Sequence, residues 1–140
     1  MASLKVRHIA VNKCLDALKE SLDVYESSQY TELHKQLRDS VIRRFKFTID
    51  IFWGFLREYL ESTHGVVFAL VSPREVLRAG LTARFLKGSE FELFERMLQD
   101  RNLTSHTYNE FLAEEISSRI SSYYTALKNC MLAVKAEELE

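Results

Sequence analysis

Apolar residues recur every three or four positions near the start of the chain, which is the spacing of one face of an α-helix. This stripe runs from Leu4 to Tyr25 and includes His8. The polar stretch Glu26-Ser-Ser-Gln-Tyr30 interrupts it, and a second stripe then runs from Leu37 to Tyr59. The pattern therefore predicts two successive helices joined by a short polar connection.

Aromatic residues make the second predicted helix unusual. Phe47, Trp53 and Phe55 fall outside its narrow apolar stripe. A helix that carries apolar residues around much of its circumference usually packs on more than one side. We therefore expect the second helix to be a central helix of a bundle or to lie in an interface.

Three further helices are indicated by capping residues and apolar periodicity. Ser72-Pro73-Arg74-Glu75 has serine as an N-cap, proline at the first helical position and glutamate three residues after the cap, which predicts a short third helix. Ser89 and Glu92 have the same capping spacing and predict the start of a fourth helix. Asn109 is a suitable cap for a last helix, whose stripe runs from Ile116 to Val134.

This order of elements predicts an all-α fold: an up-and-down four-helix bundle with one additional short helix. The 140 residues fit a single domain spanning residues 1–140. A hydrophobic content of 46% and a single proline suit a helical protein better than a β-sandwich. The net charge of −1 excludes a general electrostatic attraction to nucleic acid, so contact with RNA would have to be local.

The distribution of charges and cysteines indicates a cytoplasmic protein without a membrane span. The longest uncharged run, Ser62 to Pro73, is too short to cross a bilayer. Cys14 and Cys130 lie far apart, each within an apolar helical pattern. Their spacing favours buried free thiols over a zinc site or a disulfide framework.

Most of the other polar residues favour structural roles. His8, His34 and His64 lack the neighbouring histidines or carboxylates that a metal site requires, so we expect no metal there. A basic group on the second helix favours a solvated face over a phosphate-contacting one. Its members are Lys35, Arg38, Arg43, Arg44 and Lys46.

Arg101 differs because helical geometry places it on the face that should be buried. At about 100° per residue, it falls within the arc of Phe94, Met97 and Leu98. A buried guanidinium needs an anionic or hydrogen-bonding partner. That partner is either a carboxylate on another helix, which the residues alone favour, or a phosphate bound during function.

His106 and Tyr108 follow Arg101 closely, but one straight helix cannot direct all three side chains to one point. Tyr108 would share the face of Arg101, whereas His106 would lie about 140° away. Either the helix distorts before His106, or the motifs of two chains meet.

These residue types are suited to metal-free cleavage of RNA by its own 2′-hydroxyl. Histidine titrates near neutrality and can accept a proton from that hydroxyl or return one to the leaving oxygen. The planar, permanently charged fork of arginine can hold a phosphate and stabilise charge that develops on it. The spacing of the residues permits this chemistry but leaves the structural salt bridge open as the alternative role of Arg101.

The segment Arg101-Asn-Leu-Thr-Ser-His106-Thr-Tyr108 resembles the motif of HEPN-domain proteins, an arginine followed after four residues by histidine, any residue and tyrosine. The resemblance is closest to the branch encoded beside minimal nucleotidyltransferases (MNT), often called nucleotidyltransferase substrate-binding proteins. It extends to residues 39–48, 72–77 and 114–116 and so covers nearly the whole chain in order.

The resemblance implies a symmetric dimer in which the motifs of both chains meet in a cleft. In active relatives, Arg101 and His106 would be metal-independent ribonuclease residues and Asn102 would help to position them. Tyr108 would be the hydroxyl that accepts AMP from the MNT partner, which silences the nuclease. No cofactor or metal is implied for this chain, and the partner would supply the nucleotidyltransferase activity that it lacks.

Three functions follow from the resemblance and the residues together. The favoured function is a ribonuclease toxin paired with an MNT antitoxin, which would bind RNA. The second is a subunit that cleaves nothing and binds a nucleotide or an acceptor substrate for the partner enzyme. The third is a purely structural dimer, whose mark would be Arg101 fully paired with a carboxylate in a closed interface.

Overall fold

The computed structural model describes residues 3–28, 31–106 and 109–140, with only the backbone described at residues 105 and 106. Within these ranges the regular structure is helical and no residue forms a strand. The helices are α1 (Leu4–Ser27), α2 (His34–His64), α3 (Pro73–Thr82), α4 (Gly88–His106) and α5 (Glu110–Leu132), followed by a 3₁₀ helix at Ala136–Leu139. The predicted all-α fold is confirmed.

The four long helices alternate in direction. Contacts between α1 and α2, and between α2 and α4, join residues whose numbers rise along one helix and fall along the other, so these pairs are antiparallel. Contacts between α2 and α5 join residues whose numbers rise together, so this pair is parallel. These contacts are Cys14 with Thr48, Ala17 with Arg44, Phe52 with Phe94, Asp50 with Arg101, Arg38 with Glu114, and Phe45 with Tyr123. The chain is therefore an up-and-down bundle, with the short α3 in the connection between α2 and α4.

Local capping explains where α3 and α5 begin. The Ser72 side chain accepts a hydrogen bond from the Glu75 amide, and Pro73 occupies the first turn of α3. The Asn109 side chain accepts from the Leu112 amide at the start of α5. Both caps confirm the sequence prediction, because each depends only on residues within one turn.

The predicted start of α4 is wrong by two residues. The helix begins at Gly88, and the Glu90 carboxylate accepts a hydrogen bond from the Lys87 amide at 3.0 Å. Glu90 therefore satisfies the backbone ahead of the helix, the role that the sequence assigned to Glu92 with Ser89 as the cap. A glutamate three residues after the capping position can reach back in this way whether or not the capping residue is serine.

The sequence predicts that α2 packs on more than one side. Of the three aromatic residues outside its apolar stripe, two are buried as expected. Phe55 is fully buried and lies against His8 of α1, with ring centroids 5.7 Å apart. Trp53 is buried beside Phe52 on the side of α2 that faces α4. Phe47 differs, because 62% of it is exposed. The central position of α2 thus accounts for Trp53 and Phe55 but not for Phe47.

Arg38 is buried, so its assignment to a solvated basic face was wrong. Its side chain is 1% exposed, and it donates hydrogen bonds to Asp39 and to Glu114 of α5. His34 also lies 3.1 Å from the Glu114 carboxylate. Burial raises the pKa of Glu114, but the hydrogen bonds from Arg38 and His34 outweigh this effect, and the pKa is lower than usual. These contacts join the start of α2 to the start of α5.

Asp100 is the buried charge of α4. It is 2% exposed, and its two carboxylate oxygens accept hydrogen bonds from Arg119 of α5, both at 2.9 Å. The Tyr123 hydroxyl donates a further hydrogen bond to the same carboxylate. A buried carboxylate is stable only when it is paired in this way, so these contacts fix the rotation of α4 against α5.

Both cysteines are free thiols, as predicted, but only Cys130 is fully buried, whereas Cys14 is half-buried. Burial raises the pKa of the Cys130 thiol to about 12. Among the helices that the structure describes, none is both long and apolar enough to span a membrane.

We expect the substitution Asp100→Asn to lower the free energy of unfolding by about 3 kcal/mol, because removing one partner of a buried ion pair costs roughly this much. Urea denaturation would measure the change. Asp23→Asn is the matched control, because it breaks an exposed pair with Lys19, and we expect it to cost less than about 1 kcal/mol. Equal losses in the two variants would contradict a locking role for Asp100.

Tyr59 should make stability depend on pH in the alkaline range. Burial and then a hydrogen bond to Glu138 raise the pKa of Tyr59 from 10.0 to about 12. A raised pKa in the folded state means that the stabilisation is complete below pH 10 and is lost as the pH rises towards 12. We expect Tyr59→Phe to lose less stability than the unmodified chain over this interval in urea denaturation. Equal losses would rule out this role.

Candidate functional site

Arg101 lies on the last turns of α4 and forms an ion pair with Asp50 of α2. Its Nε atom is 2.8 Å from Asp50 Oδ1 and its Nη2 atom is 2.9 Å from Oδ2, so the guanidinium binds the carboxylate at two points. This hydrogen bonding raises the pKa of Arg101 above its ordinary value. The geometry is the one that arginine also uses to bind phosphate.

The pair is partly open to solvent. The Arg101 side chain is 26% exposed and the Asp50 side chain 48%. The sequence placed Arg101 on the buried face of α4, but Asp100 takes that position and Arg101 lies at its edge. The predicted carboxylate partner on another helix is confirmed, but the described residues do not enclose it in a closed interface.

A pocket of about 290 Å³ opens beside this ion pair. It lies where the middle of α2, the start of α3 and the second half of α4 come together. The polar and aromatic side chains that line it include Asp50, Trp53, Arg74, Gln99, Arg101 and Asn102. Residues of the motif and of the third-helix cap therefore share one cavity, although they are far apart in the sequence.

The pocket combines two ion pairs with an aromatic wall. Besides the pair formed by Arg101, Arg74 lies 3.7 Å from Glu95 of α4. Trp53 is 9% exposed, and its indole N–H has no acceptor among the residues that the structure describes. Such a surface can hold a ligand that has both an anionic group and a flat ring.

Of the four predicted site residues, two line the pocket. Arg101 and Asn102 both line the pocket, and Asn102 is exposed. His106 is the last residue of α4, and Tyr108 lies outside the described residues. The α-helix continues through His106, so it does not break before that residue. The positions of Arg101 and His106 therefore lie about 140° apart around one helix.

Metal chemistry finds no support in the described part of the chain. None of its histidines, cysteines, aspartates and glutamates form a group of three or more that could hold a metal ion. His34 contacts Glu114 and stacks on Tyr25, with ring centroids 4.9 Å apart. His34 is thus part of the polar contacts between α1, α2 and α5, and it does not line the pocket.

Sequence reasoning missed Asp50 and the pocket roles of Trp53 and Arg74. Asp50 interrupts the aromatic run of α2, and an acid in such a run indicates a partner, but its partner is 51 positions away along the chain. The sequence alone indicates only a packing role for Trp53 and only a helix start for Arg74. Long-range packing brings them together, and no local pattern encodes it.

A larger groove of about 740 Å³ lies elsewhere, between α3 and the connection that precedes it. Its lining includes Phe68 and Arg78 but none of the motif residues. The smaller pocket is therefore the better candidate site, because it contains the residues whose chemistry and spacing are distinctive.

Comparison with known proteins identifies the family of the chain. The family described as "Nucleotidyltransferase substrate binding protein like" matches residues 7–136. A protein of known crystal structure from Thermus thermophilus is 32% identical, with a TM-score of 0.66, and the match covers 82% of this chain and 95% of that one. Among curated proteins, none matches the chain. The chain therefore belongs to the nucleotidyltransferase substrate-binding protein-like family.

Proposed function

We propose that this protein is a non-catalytic partner of a separate nucleotidyltransferase and binds a nucleotide or an acceptor substrate for that enzyme. The single observation that carries the proposal is the pocket in which Arg101 and Asn102 meet residues of α2 and α3. A concave site with convergent polar groups and an apolar wall is the usual form of a small-molecule site. The family to which the chain belongs supports the same role.

The proposed assembly is a symmetric dimer of two single-domain chains. Because α4 continues as a helix through His106, Arg101 and His106 lie on different sides of it within one chain. A second chain that contributes its own motif would bring the two residue types into one cleft. Tyr108 would then lie beside the nucleotide and serve as the hydroxyl that accepts AMP.

Partner binding and AMP transfer can be tested together. We expect the purified protein to form a stable complex with a minimal nucleotidyltransferase from the same genome, as measured by size-exclusion chromatography with light scattering. Incubating the complex with ATP and Mg²⁺ should add one AMP to the chain in intact-mass spectrometry, and Tyr108→Phe should remove that addition.

The Tyr108→Phe variant should still form the complex, because the phenyl ring keeps the size of the side chain. If the two proteins do not associate at all, the partner role is wrong. If they associate and AMP is added equally to the variant, Tyr108 is not the acceptor.

Metal-independent ribonuclease activity is the second candidate function. The observation that favours it is the presence of Arg101 and His106 in one helix at the four-residue separation of the HEPN motif. In this mechanism His106 takes the proton of the RNA 2′-hydroxyl, and Arg101 stabilises charge on the phosphate. The 2′-oxygen attacks the phosphorus and the bond to the 5′-oxygen breaks, and His106 returns the proton to that oxygen. The products are a 2′,3′-cyclic phosphate and a 5′-hydroxyl, and no metal is needed.

The ribonuclease candidate predicts cleavage of total RNA or transfer RNA in the presence of EDTA. We expect His106→Ala to reduce the rate by at least about 100-fold, because general acid–base catalysis contributes roughly this much. Analysis of the 3′ ends would identify cyclic phosphate. Intact-mass spectrometry would confirm that the protein is unmodified. If this protein cleaves no RNA, only the substrate-binding role remains.

A further inference from the structure

The two-point contact between Arg101 and Asp50 places an anion on the guanidinium beside the pocket. The carboxylate binds through both of its oxygens, at 2.8 and 2.9 Å. Phosphate oxygens occupy the same positions when arginine binds a phosphate in the bidentate manner. Asp50 therefore stands where an anionic ligand would bind.

We propose that the pocket binds a nucleoside monophosphate, with Arg101 and Arg74 on its phosphate, and that Asp50 is an internal competitor for Arg101. The inference rests on the proposed substrate-binding function and deepens it. It names the ligand class, a second phosphate-binding residue and a contact that regulates access to the first.

Arg74 supplies the second cation. Its side chain is 55% exposed, and its contact with Glu95 is a long one of 3.7 Å. It also lies in the first turn of α3, where the helix dipole favours an anion. A phosphate between Arg74 and Arg101 would thus be bound from two helices.

The remaining walls of the pocket are suited to a nucleobase. Trp53 and Leu98 offer apolar surface, and the side-chain amides of Gln99 and Asn102 can donate to and accept from a ring edge. The volume of about 290 Å³ is near the lower limit for small-molecule sites and favours a single mononucleotide.

Charge explains why Asp50 competes. The formal charges of Arg74 and Arg101 are cancelled by those of Asp50 and Glu95, so the four groups attract no anion as a set. Replacing Asp50 with asparagine removes one negative charge and the bidentate carboxylate while keeping the shape of the side chain. The pocket then carries a net positive charge, and a phosphate no longer competes with the Asp50 carboxylate for Arg101.

Tryptophan fluorescence gives a direct readout, because Trp53 is the single tryptophan of the chain and lines the pocket. The protein would be titrated with AMP, with adenosine and with inorganic phosphate under excitation selective for tryptophan. We expect saturable change with AMP, weaker binding of phosphate and no binding of adenosine over the same concentrations. Phosphate binding as tight as that of AMP would reject a nucleotide site.

The variants test each part of the site. We expect Asp50→Asn to tighten AMP binding about tenfold and Arg74→Gln to weaken it about tenfold, each corresponding to roughly 1.4 kcal/mol. Asp23→Asn makes the same charge change at an exposed pair. Arg78→Gln removes a cation from the same helix that is as exposed as Arg74 but pairs with Glu75 outside this pocket. Neither control should alter the affinity.

Weaker or unchanged AMP binding in Asp50→Asn would overturn the competitor role, and equal effects of Arg74→Gln and Arg78→Gln would overturn the second phosphate contact. The proposed function has a separate readout. If AMP does not bind but the nucleotidyltransferase complex still forms, this inference fails and the partner role stands. If the complex does not form and AMP binds as described, the partner role fails and the site stands.

Discussion

The buried carboxylate of Asp100 determines how the candidate site is built. It is held by two hydrogen bonds from Arg119 and one from Tyr123, and a charge in that position has few other stable arrangements. Fixing Asp100 fixes the rotation of α4, so the next residue, Arg101, must leave the helix about 100° further round. That direction leads to α2, where Asp50 binds it. A structural contact at one residue thereby places the functional candidate beside it.

A second buried charge lies on the other side of the motif. Arg38, 1% exposed, binds Glu114 in the second turn of α5, so the start of α5 is tied to α2. Asp100 and Glu114 thus bracket the segment that contains Arg101, His106 and Tyr108. The first anchor joins α4 to α5 and the second joins α2 to α5, so the motif is connected to the bundle at both of its ends.

The helices could be predicted from residues close together in the sequence. The site could be predicted only in part, because it depends on contacts between residues that are far apart in the sequence. The apolar stripes and the caps at Ser72 and Asn109 gave the correct elements, because each depends on residues within one or two turns. Arg38 was misassigned because its burial depends on Glu114, which is 76 positions away. Helical geometry favoured Arg101 over Asp100 as the buried charge, and only the presence of Arg119 on α5 reverses that choice. The pocket could not be predicted from the sequence for the same reason, since its walls come from three helices.

The two neighbouring charges of α4 differ in how readily they can exchange partners. Breaking a buried ion pair costs roughly 3–5 kcal/mol, whereas an exposed pair contributes about 0–1 kcal/mol. Asp100 is 2% exposed, and although its partner Arg119 is 31% exposed, the buried carboxylate places this pair nearer the first class. The pair of Arg101 with Asp50 is 26% and 48% exposed and lies towards the second. Removing Asp50 from Arg101 therefore costs little stability, and a phosphate that binds the same edge can offset that cost. Adjacent residues thus combine a fixed helix with an exchangeable contact, which is the arrangement that a ligand-binding arginine requires.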